Sequence, residues 1–172
     1  MTKPNIIIGN IISFIAAVFL IMGCIIKDKK KIYIFQILEC LTLMVAYVFF
    51  ESYSGMASLF ISAFRNYTVI KNKYSIKVMS FFAVITIVLG LMTNNRGIIG
   101  IIPVAATVQY GICQKFCTTI IPIKIMIFTN VTLWSIYAFI VQDYPTALFN
   151  GIGSISCLVS MVYIMFTYRE RR

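Results

Sequence analysis

Apolar residues run along this chain in long blocks, broken at short intervals by clusters of charge or by turn-forming residues. Seven blocks stand out, at about 5–26, 32–50, 54–71, 76–93, 98–114, 118–141 and 145–167. Most approach the roughly 20 residues that an α-helix needs to cross a hydrocarbon core. The third block contains Arg65, and the fifth is short and contains Pro103. The pattern predicts an all-α polytopic membrane protein with seven transmembrane helices.

The charges between blocks orient that bundle. Lys27, Lys29, Lys30 and Lys31 follow the first block, Lys71, Lys73 and Lys77 flank the third connection, Lys115 marks the fifth, and "RERR" closes the chain. Connections two and six, "ESYS" and "QDYP", each carry one acid and no base. Basic residues collect on the cytoplasmic side, so the N-terminus is expected outside and the C-terminus inside. The first block is longer than a signal-peptide core and runs straight into "KDKKK" without a small-residue cleavage site. It reads as a retained helix.

An offset of 90 residues superposes part of the chain on itself. Ile11 and Ile12 fall on Ile101 and Ile102, Ala16 on Ala106, Thr42 on Thr132, Tyr47 on Tyr137, Phe49 on Phe139 and Ala57 on Ala147. The turn acids Glu51 and Asp143 lie two residues off that register. Hydropathy, charge and turn chemistry agree with a duplication. Two triplets in one orientation need a single extra crossing between them. The expected organisation is therefore 3+1+3: residues 1–73 as the first repeat, 74–95 as a linker helix, and 96–172 as the second repeat with a basic tail.

Such a parallel duplication resembles the SWEET sugar facilitators and the wider PQ-loop transporter superfamily. The segment "W..Y....QDY.....N.IG" is similar to the sugar-facilitator pattern of Trp, Tyr, turn acid, then a pocket Asn before Gly, and the proline of "IIPVAAT" fits as well. The chain departs from that pattern in having no Pro-Gln dipeptide, Ser13 opposite Pro103, and Met44 opposite Trp134. Over most of its length, "SLFISAFRNY" and "IIPVAATVQYGICQKFCT" resemble the YgjV-like family of bacterial inner-membrane proteins. The resemblance implies a multi-pass protein of the bacterial cytoplasmic membrane.

Polar residues inside spanning blocks are costly, and they mark functional candidates. Glu39 lies ~10 Å and Arg65 ~9 Å from the cytoplasmic ends of adjacent antiparallel helices, so an ion pair between them is expected. It serves either as a lock between helices or as part of a solute path; the other course for Arg65 is to snorkel to the headgroups. Asn10, Trp134 and Asn150 fall ~8–10 Å below the outer surface, with Gln109 and Asn130 nearer mid-membrane. Amides find no partner in hydrocarbon, so they must face inward. Together they predict a polar cavity open toward the outside, or else a set of helix–helix hydrogen bonds. Pro103, Gly151 and Gly153 are the hinge candidates, through a lost backbone bond and through close packing.

Composition narrows the function. The chain is 60% hydrophobic and 12% charged, against about 25% charged in soluble domains, so lipid is its solvent. Its net charge of +10 sits in the connections and leaves no basic face for nucleic acid. It has no histidine, and its five cysteines are scattered through apolar blocks, so no metal site and no cofactor are expected. No paired carboxylates or activated nucleophile support an enzyme. The expected partners are the bilayer and a small-molecule solute, with homo-oligomerisation left open. The reading is a transporter or facilitator of a small polar, neutral or zwitterionic metabolite, sugar- or vitamin-like, working by alternating access. The alternative is a non-transporting scaffold or a small subunit of a membrane complex.

Overall fold

A computed structural model describes residues 2–25, 28–117 and 119–170. Every apolar block is a helix: α1 (Lys3–Ile25), α2 (Lys29–Phe49), α3 (Tyr53–Ile70), α4 (Ile76–Met92), α5 (Ile101–Phe116), α6 (Ile120–Ile140) and α7 (Tyr144–Glu170). A 3₁₀ turn, Gly97–Gly100, leads into α5. Lys27, Arg171 and Arg172 lie outside the described residues. Five helices, α1, α2, α5 with its 3₁₀ lead, α6 and α7, are long and apolar enough to cross a membrane. Of the others, α4 is apolar but has 17 residues, while α3 carries its polarity inward, burying Ser54, Ser58, Ser62, Arg65 and Asn66.

Local chemistry places the helix ends. Asp28 caps α2 by accepting the Lys31 N–H at 2.8 Å, and Ser75 caps α4 by accepting from Val78. Asp143 Oδ1 accepts the Thr146 N–H at 3.2 Å at the start of α7. Helices α2, α3 and α6 end alike: the residue after the cap turns left-handed, at Glu51 (φ 50°), Asn72 (φ 55°) and Gln142 (φ 66°). The next N–H then reaches back to a carbonyl of the last turn, Ser52 to Tyr47, Lys73 to Thr68 and Asp143 to Ala138. This is the reversal that usually employs glycine.

These closures correct the sequence register at the turns. Glu51 matches Gln142, and Ser52 matches Asp143, at an offset one residue longer than the helical one. The two turn acids are therefore not counterparts: Glu51 occupies the left-handed position and Asp143 the cap.

Around the molecule α1 packs on α2, α2 on α3, α3 on α5, α5 on α6, α6 on α7, and α7 returns to α1. Helix α4 stands outside this ring, against α3 and α5. The buried core gathers Leu43, Ala46, Tyr47, Phe50, Trp134 and Tyr137 from α2 and α6 with Ala16 of α1, Leu59 of α3 and Ala106 of α5. It lies toward the end that carries the α2–α3 and α6–α7 turns (the turn end). The opposite, basic end carries the lysine-bearing connections.

Candidate functional site: a central cavity

Inside the ring is a cavity of about 590 Å³, within the range typical of small-molecule sites. All six ring helices line it, and α4 does not. Its polar groups come from both halves of the chain: Gln36 and Glu39 on α2, Arg65 and Asn66 on α3, Asn130 on α6 and Asn150 on α7. Trp134 forms part of the wall, beside Leu43, Leu59, Val131 and Phe149.

The cavity is shut at the turn end. Tyr47, Phe50, Tyr137 and Val141 are fully buried there. The Tyr47 ring lies 6.2 Å from Trp134, 6.1 Å from Tyr137 and 5.9 Å from Phe50, centroid to centroid. Above the rings, Ser52 and Tyr137 share a hydroxyl–hydroxyl hydrogen bond between α3 and α6. Two amide clamps then tie the turns across the bundle. Asn10 on α1 donates to the Gln142 carbonyl and accepts the Tyr144 N–H, both at 2.9 Å. Asn95, ahead of α5, donates to the Glu51 carbonyl at 2.7 Å, and Arg96 donates to that of Phe50.

The most exposed lining residues are Ile21 on α1 with Ile152 and Ser156 on α7. The mouth therefore lies between α1 and α7, at Ile21 on one helix and at Ile152 and Ser156 on the other. The sequence reading expected a cavity open toward the turn end. The aromatic cluster and the clamps close that end instead.

Of the five expected cavity residues, Asn130, Trp134 and Asn150 line the wall. Asn10 does not, because both its polar atoms are consumed by the clamp. Gln109 does not either; its amide nitrogen lies 3.7 Å from Cys113 Sγ, one turn along α5. Glu39 and Arg65 both face the cavity, yet no ion pair forms between them. Arg65 does not snorkel: it is 5% exposed. Its Nη1 donates to the Thr107 carbonyl at 3.1 Å, and the guanidinium stacks 5.0 Å from the centre of the Tyr110 ring. It thereby joins α3 to α5, where the expectation had been α2.

The hinge candidates change meaning. Pro103 sits in the first turn of α5, where a missing N–H breaks no helical bond. Helix α7 runs unbroken through Gly151 and Gly153. A side chain at Gly151 would meet Ser135 Oγ at 3.4 Å, while nothing lies within 4 Å of one at Gly153, which lines the cavity.

Sequence reasoning missed the polar stripe of α3. Ser54, Ser58, Ser62 and Asn66 recur every four residues, all are buried, and the last two line the cavity. That period was visible in the chain and marks one helical face.

The family model Imp-YgjV, described as a bacterial inner membrane protein, matches residues 7–168. The chain belongs to the Imp-YgjV family. Its place is accordingly the bacterial inner membrane, in keeping with its spanning helices. No curated protein and no solved structure matches the chain.

Proposed function

We propose that this Imp-YgjV protein is a transporter or facilitator that carries a small polar, neutral or zwitterionic metabolite through the central cavity by alternating access. The observation that carries the reading is the cavity itself, enclosed by helices of both triplets and bearing amides and charges at membrane depth. Groups so placed are costly in a bundle that only needs to pack.

In this reading all seven helices cross the membrane, with the N-terminus outside and the basic end in the cytoplasm. The ring is two copies of a three-helix unit linked by α4. Exchange of α1 with α5, α2 with α6 and α3 with α7 maps the ring order onto itself, which supports the duplication. So does the recurrence of one turn closure after α2 and after α6, with an asparagine from outside that unit donating to each left-handed residue's carbonyl. Arrangements of this kind move one unit against the other around a fixed site. In this reading the duplication, with the segment from Trp134 to Gly153, is what the chain would share with the SWEET and PQ-loop carriers.

Reconstituted protein tests the proposal. Vesicles should accumulate a labelled solute from a broad metabolite panel, and Asn150→Ala should reduce the rate at least tenfold without changing the melting temperature, while Trp134→Phe, which keeps a ring in the core, should reduce it by a smaller factor. A folded protein that takes up nothing in the panel would favour the scaffold role.

A further inference from the structure

We propose that the cavity binds an α-amino-acid-type zwitterion with an apolar side chain, its carboxylate at Arg65 and its ammonium at Glu39. This rests on the transport reading and names the solute class. An acid and a base, Glu39 and Arg65, line one cavity without pairing with each other. A buried charge is stable only when an opposite charge and hydrogen bonds compensate it. Arg65 is compensated on one side only. Thr107 and Tyr110, which also line the cavity, hold its guanidinium, while Nε has no partner. Beside it Asn66, 3% exposed, has an Oδ1 equally without a partner.

These vacancies match one ligand chemistry. A carboxylate accepts from the guanidinium in a charge-assisted bond. An ammonium donates three hydrogen bonds, which Glu39 and the Asn66 carbonyl oxygen are able to accept. A neutral polyol would give neither Glu39 nor Arg65 a counter-charge, and a simple cation or anion would serve one and not the other. The fixed guanidinium needs no rearrangement to bind, which lowers the cost of association. Beyond the charged groups the wall turns apolar, with Leu43, Leu59, Val131, Phe149 and the Trp134 ring. That surface fits a hydrocarbon side chain better than a second polar group.

Trp134 is the chain's single tryptophan and part of this wall, so its fluorescence reports occupancy. Purified full-length protein in detergent is titrated with L-leucine, N-acetyl-L-leucine, L-leucinamide and myo-inositol. Leucine should bind at least tenfold more tightly than either capped compound, and inositol should be silent. In Glu39→Gln, leucine should weaken to the level of N-acetyl-leucine, whose own affinity should hold or improve. A merely structural role for Glu39 would weaken both alike. Arg65→Lys, which keeps the charge, serves if larger changes there unfold the protein; it should weaken leucine and N-acetyl-leucine together and spare leucinamide. Equal binding of leucine and its capped forms, or no response to leucine, overturns the assignment. Uptake of polyols with leucine silent would sink this site and leave transport standing. Leucine binding with no vesicle uptake of any solute would do the reverse.

Discussion

Asp143 is a buried acid at the turn end, just outside the membrane-spanning part of α7, and its surroundings give stability a pH dependence. The residue is fully buried. Oδ1 caps α7, but Oδ2 has no hydrogen-bond partner, and the Ser13 hydroxyl lies beside the carboxyl without closing a full bond. Burial pushes its pKa from 3.8 up to about 6, against partial support for the charge from Thr146 and Ser13. The folded state therefore holds a proton that the unfolded state has lost between those two values. Stability from this group is greatest below pH ~4, falls as pH rises to ~6 and is level above, a span of roughly 3 kcal/mol. Asp143→Asn keeps a capping oxygen and carries no charge. Its melting temperature, subtracted from that of the parent across pH 4–7, should recover this slope; a flat difference would show the carboxylate to be solvated. The same residue scale sets what the sequence could reveal. Polarity in an apolar block leads to the expectation that Asn10 and Asn150 face inward; Asn150 lines the cavity and Asn10 bonds across the bundle. Whether each faces a void or a neighbour depends on chain segments more than a hundred residues away, as the Gln142 carbonyl held by Asn10 demonstrates. Depth alone put Asn10 in the cavity, and packing removed it.

At the scale of elements, the helices were legible because their signal is summed over some twenty residues, and no single position decides it. Their seams were not, since seams turn on which small residue meets which neighbour. Gly90 and Gly153 show the two outcomes. At Gly90 an added Cβ would overlap Val104 Cγ2, so α4 and α5 pack too closely there for a side chain. At Gly153 it would enter open space in the cavity wall. Gly90→Ala should cost about 1–3 kcal/mol by forcing the helices apart. Gly153→Ala should be neutral in melting temperature, and Gly153→Leu should fill the cavity and block uptake while the protein stays folded. Equal destabilisation by Gly153→Leu and Gly90→Ala would mean that the wall near residue 153 is packed. Pro103 carries the same lesson. A proline seen in an apolar run suggests a kink, but its effect depends on where the helix starts, and the 3₁₀ turn Gly97–Gly100 moves that start to Ile101.

For the whole molecule, the unequal ends of the cavity define a single conformation with a directional consequence. The turn end is closed by packed aromatic rings, a hydroxyl pair and two clamps, and the Tyr47–Tyr137 contact, the hydroxyl pair and the clamps all join α1–α3 and the turn after α2 to α5–α7 with the segment leading into α5. The mouth lies between α1 and α7, at Ile21, Ile152 and Ser156, on the basic-end side of the aromatic rings, and the lysine clusters lead one to expect the cytoplasm on that side. A probe of accessibility reads both statements at once. In a background with the five native cysteines replaced by serine, Ser156→Cys places a thiol at the mouth, and Ser58→Cys places one among fully buried groups on α3. A membrane-impermeant maleimide added to inverted vesicles should label position 156 within minutes and leave position 58 unmodified. Added to right-side-out vesicles, it should label neither while the protein rests in this state. Labelling of position 58 from the outside would mean that the turn end opens without solute, because a thiol there reacts only if the clamps at Asn10 and Asn95 have let go. Adding a transported solute should then raise that rate, since alternating access requires the sealed end to open in part of each cycle.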